Sequence, residues 1–163
     1  MFEVKKYKEN KEENYELVIK QLHALIEGEK NDIANLANAA ALLNQFLDNI
    51  NWVGFYLTDH PHDELVLGPF QGLPACVRIP FGKGVCGTAA KQNKTIRVAD
   101  VHQFPGHIAC DAVTQSEIVI PLVKNNKVIG VLDIDSPIKN RFNEQDEKFL
   151  EKFTRKLEEA FAM

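Results

Sequence analysis

Glu117-Ile118-Val119-Ile120-Pro121-Leu122-Val123 and Val128-Ile129-Gly130-Val131-Leu132-Asp133-Ile134 are two β-branched apolar runs. They are separated only by Lys124-Asn125-Asn126-Lys127. Two such runs joined by so short a polar link read as a hairpin, and a hairpin makes its strands antiparallel. Working outward, Asn51 to Leu57 is aromatic and β-branched and reads as a strand. Asp59 to Asp63 contains Pro61 and reads as a turn, and Glu64 to Phe70 alternates into a second strand. Val77–Pro80 and Thr95–Val98 are short extended pieces, and Val85 to Gln92 is a short helix behind Gly82-Lys83-Gly84. Helical spacing holds at both ends of the chain. Tyr15, Leu17, Val18, Leu22, Leu25 and Ile26 mark a helix over residues 8–28, ended by Gly28. Ile33, Leu36, Ala40, Leu43 and Phe46 mark a second over 31–48, capped by Asn31 or Asp32. Asn143 caps a last helix, Glu144 to Ala160, with Phe149, Leu150, Phe153, Leu157 and Phe161 on one face. Terminal helices around five or six strands predict a single α+β or α/β domain over residues 1–163. The terminal helices should cover one face of a largely antiparallel sheet, and long loops should form a pocket on the other.

The bulk properties narrow the function. A chain of 163 residues, 45% hydrophobic and 26% charged, suits one soluble domain with a real core. The net charge of −4 argues against a nucleic-acid partner, which favours a basic face. Met1-Phe2-Glu3-Val4-Lys5-Lys6 leads into charged residues, so no signal peptide is expected. No apolar stretch approaches the roughly 20 residues that span a bilayer. The expected location is cytoplasmic, where a disulfide is transient and catalytic rather than structural.

The chemistry concentrates in the second half. All three cysteines lie between Cys76 and Cys110, and three carboxylates follow: Glu117, Asp133 and Asp135. A single cysteine is usually a small buried hydrophobe. Cys110, however, lies in the aperiodic stretch Asp100 to Thr114, and loops of that length are usually functional. Cys86 falls in the first turn of the short helix, where the helix dipole favours a thiolate. The cysteine spacings do not match paired C-x-x-C zinc ligands, and no metal is expected. Asp133 and Asp135 alternate on one strand and share a face. That face either opens to water or lines a pocket with Glu117, where burial and repulsion would raise at least one pKa and make a general acid. Trp52 and Tyr56 also share a strand face, as core or as an aromatic wall. His60 and His62 belong to a surface turn, whereas His102 and His107 lie near Cys110.

Asn51-Trp52-Val53-Gly54-Phe55-Tyr56, Leu67-Gly68-Pro69-Phe70-Gln71-Gly72, Gly82-Lys83-Gly84-Val85-Cys86-Gly87 and Val131-Leu132-Asp133-Ile134-Asp135-Ser136 together resemble the GAF-domain free methionine-(R)-sulfoxide reductases. The resemblance runs from the first helix to the last. It implies a six-stranded antiparallel sheet with helices on one side and an enclosed pocket on the other. It implies Cys110 as catalytic thiol, Cys86 as main resolving thiol forming a Cys86–Cys110 disulfide, and Cys76 as auxiliary. It also implies Trp52, with Tyr56 nearby, against the substrate methyl group, and Glu117, Asp133 and Asp135 at the polar end, Asp135 donating the proton. No bound cofactor is implied. The expected partners are free methionine sulfoxide and thioredoxin as external reductant, and the stripe on the first helix is a possible homodimer contact. The competing reading is a non-catalytic GAF sensor of a small ligand or of redox state. Asn126-Lys127, Phe142 and Asp146-Glu147 follow the order of a motif in nucleotide-binding GAF domains.

Overall fold

A computed structural model describes residues 10–162. The hairpin is present: β5, Ser116–Lys124, turns through Asn125 and Asn126 into β6, Lys127–Ser136. Both asparagines hold positive φ, 53° and 63°, the left-handed pair that a two-residue hairpin turn requires and asparagine tolerates. The remaining strands are β1 (Trp52–Asp59), β2 (Glu64–Gly72), β3 (Arg78–Pro80) and β4 (Ile96–Val98). The helices are α1 (Lys11–Ile26), α2 (Asp32–Phe46), α3 (Gly84–Gln92) and α4 (Glu144–Glu158). Residues 8 and 9 of the expected first helix lie outside the described residues. The sheet order is β3-β2-β1-β6-β5-β4, and every neighbouring pair is antiparallel. The architecture is therefore α+β.

Alternation along the strands sorts the chain into two cores. Val53, Phe55, Ile118, Ile120, Leu132 and Ile134 face α1, α2 and α4, and all six are buried. The α4 stripe Phe149, Leu150, Phe153 and Leu157 is buried in the same core. Each such side chain is worth about 1.5–3 kcal/mol of burial. The α1 stripe Tyr15, Val18, Leu22 and Ile26 also packs there, so it serves the protein's own core instead of the subunit contact considered for it. The caps match the sequence: Asn31 Oδ1 accepts from Ala34 N at 2.9 Å, and Asn143 and Asp146 exchange side-chain-to-backbone hydrogen bonds at 3.0 Å. On the other face Trp52, Tyr56, Val119 and Val131 join α3 and the connecting loops in a second, smaller cluster.

Candidate active site

Strand register builds the floor of a pocket on that second face. Asp135 of β6 lies opposite Trp52 of β1 on one side and Glu117 of β5 on the other. These three side chains thus form one row across three strands. Asp133, two residues back on the same face, lies opposite Gly54 and Val119. A Cβ at Gly54 would stand 2.2 Å from Phe70 Cβ, so only glycine lets Phe70 approach and stack on Trp52, 5.1 Å between ring centroids. Trp52 stacks on Tyr56 as well, at 5.9 Å, and these rings form an aromatic wall.

The wall also anchors a loop. Trp52 Nε1 donates to Leu73 O at 3.1 Å, and Tyr56 Oη donates to Cys76 O at 2.8 Å. The segment carrying Cys76 is thereby fixed at the pocket rim. Opposite it, the loop ahead of β5 carries Cys110. Asp111 organises this loop: its carboxylate accepts from Val113 N and Thr114 N, each at 2.7 Å, and from Thr114 Oγ1 at 2.8 Å. Cys76 and Cys110 form a disulfide with Cα atoms 5.7 Å apart, and Cys110 is exposed.

Cys86 occupies the first turn of α3 and is buried and free. Its Sγ lies 3.9 Å from Glu117 Oε2. Sγ of Cys86 and carboxylate oxygens of Glu117 and Asp133 all lie within 4.8 Å of one another. Glu117 contacts both Asp133 and Asp135. Three carboxyls so placed cannot all be ionised. Burial pushes Glu117 well above the ordinary carboxyl range, helped by Asp133. Burial does the same to Asp133, helped by Asp135, and to Asp135, helped by Glu117. Asp133 Oδ1 and Asp135 Oδ1 are buried without a protein hydrogen-bond partner. The floor thus offers carboxyls that hold protons more tightly than usual, and unsatisfied acceptors, to whatever enters. About 60 Å³ is open to the centres of water-sized molecules. One water needs roughly 10–15 Å³ by that measure, so the pocket suits a small molecule.

Residues 33–161 match the GAF domain. Free methionine-R-sulfoxide reductase of Escherichia coli is 54% identical over 153 residues, 94% of this chain and 92% of that one. A structure of free methionine-R-sulfoxide reductase from Neisseria meningitidis in complex with its substrate superposes with a TM-score of 0.95 at 44% identity, covering 99% of this chain and 96% of that one. The substrate complex of the Staphylococcus aureus fRMsr is 58% identical with a TM-score of 0.87, covering 91% and 96%. The chain belongs to the GAF-domain free methionine-R-sulfoxide reductases.

Within this family framework, Cys76, Cys86, Cys110, Trp52, Tyr56, Glu117, Asp133 and Asp135 all line one pocket. The expected Cys86–Cys110 disulfide is corrected to Cys76–Cys110. The helix terminus was expected to favour a Cys86 thiolate. Burial outweighs it, with Asp133, Glu117 and Asp135 adding to the effect, and the thiol is pushed well above its ordinary range. Cys86 is therefore a poor nucleophile. Of the histidines, His107 lines the pocket, and burial, then His102, lowers its pKa. His60, His62 and His102 are exposed. Sequence reasoning missed two residues. Asn51 lines the pocket, donates from Nδ2 to Thr114 Oγ1 at 3.1 Å and leaves Oδ1 buried and unpartnered. Asp111 organises the loop, and its side chain bonding two residues onward is a turn signal that the sequence does carry. The residues of the nucleotide-site motif have structural roles instead: Asn126 turns the hairpin, Phe142 is buried in the helix-side core and Asp146 caps α4.

Proposed function

We propose that this protein reduces free L-methionine (R)-sulfoxide to L-methionine in this pocket, with Cys110 as nucleophile. The observation that carries the reading is an exposed, disulfide-forming Cys110 on the same pocket as three mutually adjacent carboxyls, raised in pKa by burial, and a tryptophan wall. Two relatives with substrate bound, described above, support the substrate.

Oxide is a poor leaving group, so attack on a sulfoxide sulfur needs a proton delivered to the oxygen. The Cys110 thiolate attacks the substrate sulfur while a carboxyl, Asp135 by preference, protonates the oxygen. The protonated oxygen passes from the substrate sulfur to the Cys110 sulfur as the transient bond between the two sulfurs breaks, so methionine departs with its electron pair and Cys110 is left as a sulfenic acid. The Cys76 thiol then attacks the Cys110 sulfur, water leaves, and the Cys76–Cys110 disulfide forms. Thioredoxin, in a reducing compartment such as the cytoplasm, returns both thiols by exchange. Trp52 packs on the substrate methyl group, with Tyr56 behind it. Glu117 and Asp133 receive the substrate ammonium, the charge that would draw protons off the floor. The substrate carboxylate faces the α3 N-terminus and Lys83, both on the lining. A residue within a polypeptide has neither terminal charge, so a closed pocket of this kind selects the free amino acid.

The test is single-turnover reduction with each epimer. Wild type consumes only the R epimer. Asp135→Asn slows the reduction step at least about 100-fold with a smaller change in substrate affinity. An unchanged step in that variant removes Asp135 as donor, and no turnover by wild type with dithiothreitol removes the reductase reading.

A further inference from the structure

We propose that the apolar segments flanking the Cys76–Cys110 disulfide are a docking surface for a protein dithiol reductant, which covers Leu73, Val77, Ile108 and Val113 while it reduces that bond. The proposal rests on the reading above, in which the disulfide must be reduced once per cycle.

Among the described residues, the exposed large hydrophobics are Ile33, Leu73, Val77, Ile108, Val113 and Ile138. Four of these six fall within three positions of a half-cystine: Leu73 and Val77 beside Cys76, and Ile108 and Val113 beside Cys110. The disulfide itself brings the two segments together, with Cα atoms 5.7 Å apart. Scattered exposed apolar residues are ordinary, but a group gathered at one reactive bond marks an interaction site. Leu73-Pro74-Ala75-Cys76-Val77 has no charge, and Ile108-Ala109-Cys110-Asp111-Ala112-Val113 has one. That one, Asp111, turns its carboxylate to three donors of its own loop. On a chain that is 26% charged, this is the composition of an interface centre, from which charge is depleted. A small thiol has no use for such a surface, whereas a protein partner buries it.

The chemistry requires close approach. A partner thiolate attacks one sulfur of the pair, a mixed disulfide forms, the Cys76–Cys110 bond breaks and the other cysteine leaves as a thiolate. The partner's second thiol then attacks its own sulfur in the mixed disulfide. The partner departs oxidised, and its two electrons and two protons end on Cys76 and Cys110.

Val77 and Val113 lie outside the pocket lining, so they isolate docking from turnover. The measurement is the second-order rate of reduction of the preformed disulfide by a reduced bacterial thioredoxin, beside reduction by dithiothreitol. The Val77→Ser/Val113→Ser protein should be reduced by thioredoxin about tenfold more slowly, with its dithiothreitol rate within twofold of wild type. The distant pair Ile33→Ser/Ile138→Ser should match wild type with both. An unchanged thioredoxin rate in the first variant overturns the proposal, and so does an equal fall with both reductants. Because no methionine sulfoxide is used, failure here is distinct from failure of the reductase reading, which the dithiothreitol-driven turnover assay reports.

Discussion

The sheet holds buried acids on both faces, and the two faces treat them in opposite ways. On the helix side, Asp146 has no exposed side-chain surface. It accepts from Tyr15 Oη at 2.7 Å and from the Asn143 amide at 3.0 Å, and pairs with Lys11 Nζ at 2.8 Å and Arg141 Nη1 at 3.5 Å. Burial alone would raise its pKa, but these donors outweigh it and the net shift is downward. On the pocket side, Glu117, Asp133 and Asp135 are buried against one another, and all three are pushed up. A fully partnered charge is structure. Carboxyls left to share protons are poised for a ligand. Burial does not separate them; the neighbours do.

Four variants test that contrast. With wild type and variant both fully reduced, Cys110→Ser should abolish turnover, a loss of at least about 1,000-fold, without moving the melting temperature. Asp146→Ala should do the reverse. It strands Lys11, Arg141 and the Tyr15 hydroxyl and should cost about 3–5 kcal/mol. That is a fall in melting temperature of roughly 10 °C, with kcat near wild type at temperatures where the variant stays folded.

Titration should separate the faces next. The raised pocket carboxyls keep protons that the unfolded chain has released above its ordinary values of 3.8 and 4.5. The folded state then binds more protons, so stability falls as pH rises from about 4 through their folded values. Asp146 has the opposite sign: its contribution is complete above 3.8 and is lost as pH falls through its lowered value. Melting curves from pH 5 to 9 should therefore show a declining slope that Glu117→Gln/Asp133→Asn flattens. An equal slope in that variant would put the origin elsewhere. The smallest effect should come from Cys86→Ser. Oxidation by substrate should still remove about 2 Da as the disulfide forms, and turnover should stay within about threefold. Loss of the disulfide would restore Cys86 as resolving thiol.

The same contrast explains what could be read from the chain. The hairpin asparagines, the alternating Asp133 and Asp135 and the Asn143 cap are local signals, and each is where the sequence places it. The hairpin strands run further than expected: β6 continues to Ser136 because Ser116 supplies a pairing partner across the sheet. That Glu117 stands opposite Asp135 depends on register between strands, which no local pattern contains. The Cys86–Cys110 pairing, implied by the resemblance alone, gives way to Cys76–Cys110, and the thiolate expected of Cys86 fails for the same kind of reason. Helix position is visible in sequence, but the burial of Cys86 among carboxyls is a property of two strands, β5 and β6, and the helix α3 packed on them.

Tyr56 and Trp52 are bound to the backbone of the segment that ends in Cys76. The spacing of the two half-cystines is therefore held by rings from the central strand, not by the thiol-bearing loops alone. Anyone transplanting this thiol pair into an unrelated GAF scaffold would have to bring both aromatic residues with it. Tyr56→Phe, which removes only a hydroxyl from the wall, should in turn be scored for how fast the bond closes as well as for how well the amino acid is held.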